Sequence, residues 1–518
     1  MNSKISKYGI YAIIALWGVA CFTFFHFAYR HHLFYEEQNQ LFLLTSDYVA
    51  TYFNKPAWLA CLAGDFLTSL YYYLFAGPAI LTAMLLVAGD VLRRSLQKAG
   101  IRHGCFFVAI VVMIILAVMS LKTEFRLSSI MAVIIGGALF LCVSFFQIHK
   151  QPWCIIVDVI AVAFAHWVAG VGAMVYAILA VIRALVRREP WRWCSLALPF
   201  VPIIISLLTV NYYTLKPSDN ILYPGVGKLT MPNLELERQL AVEDEYYFGN
   251  YEEVERLVES NDKPSLHELF FYNLVSAQKD MLPDRLMKYR PNELGTFEKI
   301  GPDTHILTTK RMHELYWLIG DMTYTERAAM LANVFSPSNR NVKMIKCLAE
   351  TSKVSGNDKA AEKFLRLLDN TLIYGKWAER TRMDVSGKYA DKAKMINTKD
   401  SIKTGDNAYP ILCELLESNP NNTIALDYLL CSDLLLKDLK TFKRDYDHFC
   451  GNKPRLKKLY QQALMIYLAA SETPVEQWSE YIKDEHELQR FMMYNSHRGD
   501  PAFSDTYWYY YDKMKLNK

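Results

Sequence analysis

What the chain lacks narrows the field first. Its ten cysteines and twelve histidines form no C-x-x-C and no Cys/His ligand spacing, which removes zinc-ribbon and thioredoxin-like arrangements. No Walker loop, dinucleotide glycine pattern, nucleophile elbow or H-E-x-x-H occurs, so no motif assigns a reaction or a bound metal. The second half has no strand-like alternation of any length and no Lys/Arg block. The first absence argues against a sheet, and the second removes the electrostatic reason to expect a nucleic acid partner.

What is there is a chain of two unlike halves. Of the 518 residues 52% are hydrophobic, and the long apolar runs all lie before Tyr213. Up to Tyr213 there are fifteen Lys/Arg against eight Asp/Glu, a charge of +7; beyond it 42 stand against 45, a charge of −3. The pattern predicts a helical membrane domain over 1–213, a Pro/Gly-containing linker over 214–232 and a helical domain over 233–518. Cys21, Cys61, Cys105, Cys142, Cys154 and Cys194 read as small buried hydrophobes. Cys347, Cys413, Cys431 and Cys450 are in a position to pair if the second half lies outside the cytoplasm, with the connectivity open.

Lys4 and Lys7 precede Tyr8 to Tyr29, twenty-two mostly apolar residues with no cleavage pattern, so a retained spanning helix with a cytoplasmic N-terminus is expected. Ala57 to Val91 is too short for two helices and a loop. Its part before Tyr71, with Asp65, reads as a helix lying in the interface, and Tyr71 to Val91 as the second span. Cys105 to Leu121 and Ser128 to Ile148 follow as spans. Trp153 to Arg188 reads as two short helices on either side of Gly170-Val171-Gly172, and Trp193 to Tyr213 as a seventh span. The inside loops then hold eleven Lys/Arg and the outside loops four: Arg30, Lys55, Lys122 and Arg126. That asymmetry places the N-terminus inside and the second half outside.

In the second half helix pairs recur around Gly249, Gly320 and Gly356, the last two 36 residues apart, close to the ~34-residue tetratricopeptide period. With Gly356 between two helices, Leu348 and Ala349 fall at the large-small positions of the first and Ala361 and Leu365 at packing positions of the second. Ala425, Leu429 and Leu430, after the Asn419-Pro420 turn, give a further such face. This pattern resembles tetratricopeptide repeats and predicts an α-solenoid, whose concave surface binds protein or peptide. Asp280 to Asp303 and Met383 to Asn407 do not fit the period. The acids Glu235, Glu237, Glu243, Asp244, Glu245, Glu252 and Glu253 read as a solvated face. Tyr507, Trp508, Tyr509, Tyr510 and Tyr511 form a dense aromatic run, read either as a terminal helix packing on the last repeat or as a docking surface.

Ionisable groups in the apolar half mark three places where chemistry could sit, one of them Asp65, whose plain alternative is the polar face of an interfacial helix. Glu36, Glu37 and Asp47 lie in the polar segment Arg30 to Pro56, with His31 and His32. His32 and Glu36 share a helical face, but two ligands do not make a metal site. The plain alternative for these acids is a wet loop. Asp158 and His166 lie inside an apolar run, where a charge costs several kcal/mol unless partnered; the plain alternative is that neighbouring helices satisfy them.

The order of elements from 8 to 100 is one span, an outward loop with an acidic pair, an interfacial helix, a second span broken at Gly77-Pro78 and a basic inside loop. It resembles the start of the polytopic GT-C glycosyltransferases. The resemblance implies a lipid-linked sugar donor and a catalytic acid in the first outward loop, which only Glu36, Glu37 or Asp47 could supply, with a divalent cation as a possible companion. The stretch YEEQNQLFLLTSDYV followed by a helical-repeat tail resembles an uncharacterised bacterial family of multi-pass cell-envelope proteins, and this implies an inner-membrane location with a periplasmic second half. Two functions follow as expectations. The leading one is an all-α scaffold that anchors itself in the bilayer and organises other envelope proteins through its tail, with no cofactor. The other is a GT-C-like transferase.

Overall fold

The structure is a computed structural model. It describes residues 2–101, 103–146, 153–213, 219–220, 222–289, 305–336, 339–384, 386–394, 396, 408–451 and 455–513. Among the described residues every regular element is a helix. The chain forms two compact units. The first is Met1–Leu240 together with two later segments, Ser336–Lys343 and Arg366–Glu379; the second is Ala241–Phe335, Met344–Leu365 and Arg380–Lys518.

In the first unit the helices are α1 (Asn2–Thr23), α2 (His31–Gln38), α3 (Ser46–Tyr52), α4 (Trp58–Thr68), α5 (Ala76–Ala99), α6 (Cys105–Met119), α7 (Leu127–Phe145), α8 (Cys154–Ala169) and α9 (Gly172–Val186). Two of them, α5 and α7, are long and apolar enough to cross a membrane. A third crossing results if Ala12–Ala28 and α2, bent by 73° at Tyr29, count as one. The helices α6, α8 and α9 are apolar but shorter. The run Trp193 to Tyr213, expected as one span, is instead three short helices, Arg192–Ser195, Phe200–Leu208 and Val210–Tyr213. Pro199 and Pro202 stand in this run and remove backbone donors that an unbroken helix needs.

The helix α7 is the hub of this unit: α4, α5, α8 and α9 all pack on it. Glycines permit the closest of these approaches. A Cβ added to Gly64 of α4 would lie 2.5 Å from Ser128 Cα, and one added to Gly136 of α7 would lie 2.1 Å from the carbonyl oxygen of Gly172. Without water to be expelled, contact between apolar helices rests on such small-residue packing. The stretch before Tyr71 holds α4, which packs on α7 and buries Ala60, Gly64 and Thr68.

The second unit is built from amphipathic helices joined by tight turns. Ile306–Ile319 and Met322–Val334 meet at Gly320, whose φ of 90° is a left-handed value that glycine adopts without strain. Val342–Val354 and Asp358–Asp369 meet in the same way at Gly356. Leu348, Ala349, Ala361, Leu365, Ala425, Leu429 and Leu430 are all buried. The core continues through Phe270, Phe271, Tyr428 and Tyr460. Residues 290–304, 397–407 and 214–218, which include most of the non-periodic stretches and the start of the linker, lie outside the described residues. All ten cysteines are free thiols.

Candidate functional site

The polar segment Arg30 to Pro56 is a folded part of the first unit, fastened at both ends. Its first helix, α2, begins at a capped N-terminus: the Glu237 carboxylate accepts hydrogen bonds from the backbone N–H groups of His31 and of His32, the latter at 3.2 Å. Placing an anion there satisfies two orphan donors and complements the helix dipole. The His32 ring also faces Glu237, at 3.5 Å, and lies 3.0 Å from the Ser120 carbonyl oxygen. His32 is thus held by structure, and no group of three or more His, Cys, Asp or Glu side chains among the described residues is arranged to hold a metal ion. The acidic stretch read as a solvated face is in part buried: Glu237 caps α2, while in the second unit Glu243 pairs with His267 at 3.3 Å.

The last turn of α2 carries two acids with different environments. Glu37 is buried and accepts hydrogen bonds from the Tyr374 hydroxyl at 2.8 and 2.9 Å and from the Gln38 side-chain amide. Tyr374 comes from the later segment Arg366–Glu379 of the same unit. Further backbone bonds tie that part of the chain to the loop after α2: Leu44 N–H to the Asn370 carbonyl at 2.7 Å and Val342 N–H to the Gln40 carbonyl at 3.1 Å. Beside Glu37 a narrow cleft lined by Gln40, Ser69 and Thr371, among others, has room for about one water. Glu37 therefore serves to hold the loop.

Glu36 differs. Its carboxylate accepts no hydrogen bond among the described residues. Burial pushes its carboxyl well above the ordinary glutamate range, with the Arg126 charge pulling the other way. A second acid shares this setting: burial raises Asp65 of α4, opposed by the charges of Arg126 and Lys55 and by a hydrogen bond from Tyr52. The packing explains why one arginine serves both acids. Arg126 immediately precedes α7, and Ser128 two residues on touches α4 at Gly64, next to Asp65. Among the described residues the Arg126 guanidinium makes no hydrogen bond and no ion pair, so its charge is only partly compensated.

Asp65 is oriented by a chain of hydroxyls. Tyr48 and Tyr52 stand at i and i+4 on α3 and so share a face. Their hydroxyls are 2.9 Å apart, and Tyr52 donates to Asp65 Oδ2 at 2.8 Å. The Gln40 amide donates to the Asp65 backbone carbonyl at 3.0 Å. Arg340, from the returned segment Ser336–Lys343, lies over the Tyr48 ring at 4.8 Å, and the Lys55 ammonium lies over the Tyr52 ring at 4.5 Å. The result is two partly buried carboxyls with raised proton affinity, flanked by Arg126 and Lys55. Buried carboxyls with raised proton affinity beside a cationic group are candidates for proton transfer.

The remaining residues singled out in the sequence fall elsewhere. Asp47 is exposed in the first turn of α3, where it complements the helix N-terminus. Asp158 accepts hydrogen bonds from the Tyr176 hydroxyl at 2.9 Å and from Arg183 at 2.6 Å, and Arg183 in turn donates to Glu189 at 3.0 Å, all buried. His166 is not part of that ladder; its ring lies 3.4 Å from Ser206 Oγ. In the aromatic run Tyr507, Trp508 and Tyr510 are buried and bonded to the carbonyls of Leu434, Gln462 and Leu435, which leaves Tyr509 and Tyr511 half-buried. Sequence reasoning counted Arg126 only as a loop charge and passed over Tyr52 and Tyr374. The Tyr48/Tyr52 spacing was the one local signal available.

Among the described residues the chain is all-helical, with a few helices apolar enough to span a membrane, and its first elements carry two acids on which one arginine charge acts. Residues 4–514 match the family of unknown function DUF6057, and the chain belongs to that family. No curated protein and no solved structure matches it.

Proposed function

We propose that this protein is a membrane-embedded transferase of GT-C-like layout that moves a sugar from a lipid-linked donor. In this reading the chain is anchored in a bacterial inner membrane with its N-terminus in the cytoplasm, and α2 to α4 lie on the outward side. The observation that carries it is that burial raises two carboxyls, Glu36 and Asp65, on which the same Arg126 charge acts, with no hydrogen bond to the Glu36 carboxylate among the described residues. Glu36 takes the proton of the acceptor hydroxyl while the acceptor oxygen bonds to the sugar carbon. The bond from that carbon to the phosphate oxygen breaks, and the phosphate leaves on the lipid with its negative charge facing Arg126 and Lys55. A carboxyl whose proton affinity is raised by burial is suited to that transfer. Tyr52 and Gln40 hold Asp65, and Tyr374 holds Glu37, so α2 presents Glu36 in one orientation. The test is a cell in which the native gene is replaced by Glu36→Gln, Asp65→Asn or Glu37→Gln. Loss of an envelope glycan or lipid modification in the first two is expected; an unchanged profile in all three contradicts the proposal.

A second reading is favoured by the glycine-joined helix pairs of the second unit. It is a surface for other envelope proteins, which a scaffold would use to organise them. Cross-linking and co-purification with the full chain should then recover the same partners from wild type and Glu36→Gln, because that surface does not involve Glu36.

A further inference from the structure

The ends of three helices of the first unit meet at one rim of the bundle. Lys98, in the last turn of α5, extends its ammonium over the Phe145 ring at the end of α7, 4.6 Å from the ring centre. Arg187, one residue past α9, donates to the Lys98 backbone carbonyl. The chain then turns sharply at Arg188, whose φ of 52° is left-handed: its N–H donates to the Leu185 carbonyl at 3.3 Å and the Glu189 N–H to the Ala184 carbonyl at 2.9 Å. The turn sends Glu189 inward, where it is buried and pairs with Arg183 at 3.0 Å, and it leaves Arg188 exposed.

That division of charge leaves the rim basic. Glu189 is the one acid in the sequence between Asp158 and Asp219, and its charge answers Arg183. Among the described residues Lys98, Arg188 and Arg192 form no ion pair. Lys98 complements the C-terminal end of its own helix, whereas Arg188 and Arg192 lie past the last turn of α9. The Arg192 guanidinium lies over the Trp193 ring at 5.4 Å. The surface around these cations is aromatic: Phe145, Trp191 and Trp193 are 68%, 45% and 68% exposed.

The rim is at the far end of α7 from the acids of the candidate site. With 19 residues α7 spans about 28 Å, close to the ~30 Å hydrocarbon core of a bilayer. Arg126 precedes its first residue and Phe145 is its last, so its two ends reach the two polar surfaces of a membrane that it crosses. Exposed tryptophans beside Arg and Lys suit that boundary, where the rings sit at headgroup depth and the cations meet phosphate. We propose that Lys98, Arg188 and Arg192 hold the phosphate of an anionic phospholipid, with Phe145, Trp191 and Trp193 against the upper part of its acyl chains. Guanidinium groups donate in pairs to phosphate oxygens. A headgroup with no cation of its own, as in phosphatidylglycerol, leaves that phosphate charge for the protein to meet, whereas choline neutralises it. The site goes beyond the transferase reading and does not depend on it.

The experiment is native mass spectrometry of the full-length protein, delipidated in neutral detergent and titrated with phosphatidylglycerol or with phosphatidylcholine of the same acyl chains. Wild type should bind phosphatidylglycerol more tightly, by up to about fivefold for each of the three cations. The triple variant Lys98→Gln/Arg188→Gln/Arg192→Gln should bind the two lipids equally. Arg188→Gln alone, at an exposed turn, should lose about fivefold and reads the site even if the triple variant fails to fold. Arg93→Gln/Arg94→Gln removes charges already paired with Asp90, at 2.6 and 2.7 Å, and should keep the preference. Equal affinity of wild type for the two lipids overturns the site, as does an Arg188→Gln or triple variant that keeps the full preference. A preference lost to the same degree in Arg93→Gln/Arg94→Gln overturns it too, because the attraction would then belong to the overall charge.

Discussion

Tyr52 and Asp65 are joined by a 2.8 Å hydrogen bond that links the short helix α3 to the acid-bearing helix α4. Asp65 stands out in the sequence as a lone acid in an apolar run, while Tyr52 is one aromatic among others in a polar loop. Together they fix the position of a carboxyl on which the Arg126 charge also acts.

Removing the donor should be felt at once. Tyr52→Phe strands the Asp65 carboxyl and should cost about 1–3 kcal/mol, the range for leaving a buried acceptor unsatisfied. Tyr48→Phe, one bond further away, should cost less. Thermal unfolding in detergent compares the two, and equal losses would show that the hydroxyl chain does not orient Asp65.

Glu36 gives a prediction with a definite sign. Its carboxyl is raised well above 4.5 in the folded chain, so the folded state holds a proton that the unfolded state loses. Stability from this group is complete below about 4.5 and falls as pH rises toward the folded value, by about 1.4 kcal/mol for each pH unit inside that window. Glu36→Gln should therefore raise the melting temperature at neutral pH and leave it unchanged near pH 4. A variant less stable than wild type at neutral pH would contradict the burial of this acid.

At the α4–α7 and α7–α9 crossings, Gly64→Ala and Gly136→Ala place a Cβ 2.5 Å and 2.1 Å from backbone atoms of the facing helix. Each should cost about 1–3 kcal/mol or more, since backbone cannot yield as a side-chain tip does. Gly9→Ala, which meets nothing within 4 Å, is the control. Yields of folded protein and melting temperatures read the difference.

The buried ladder Asp158–Arg183–Glu189 should show strong coupling. Arg183→Met alone leaves two buried acids uncompensated and should cost about 3–5 kcal/mol. Adding Asp158→Asn and Glu189→Gln to it should recover most of that loss. A thermodynamic cycle on the purified protein measures the recovery, and additive losses would mean that the ladder is not a unit.

Much of the helical framework was legible in the sequence because its signals are local. The glycines at 170 and 172, 320 and 356 sit where one helix gives way to the next, since a left-handed or closely packed backbone position is written in the residue that occupies it. The Leu348/Ala349 and Ala361/Leu365 faces point inward, since helical periodicity encodes burial. What was illegible is long-range. Tyr374 stands 337 residues from Glu37, and nothing in either neighbourhood announces the other. Arg126 looked like any loop cation, because its importance comes from α7 meeting α4 at a glycine. The run Trp193 to Tyr213 was read by composition as one span, while its two prolines break it.

The most direct measurement is turnover of a lipid-phosphate-linked sugar by the purified full-length protein in nanodiscs, followed by mass spectrometry of the donor lipids. Wild type should consume the donor, Glu36→Gln and Arg126→Met should leave it intact, and Asp47→Asn should behave as wild type. Equal consumption by wild type and Glu36→Gln, or none by wild type in the native lipid extract, would contradict the assignment of the Glu36–Arg126–Asp65 cluster as the site of reaction.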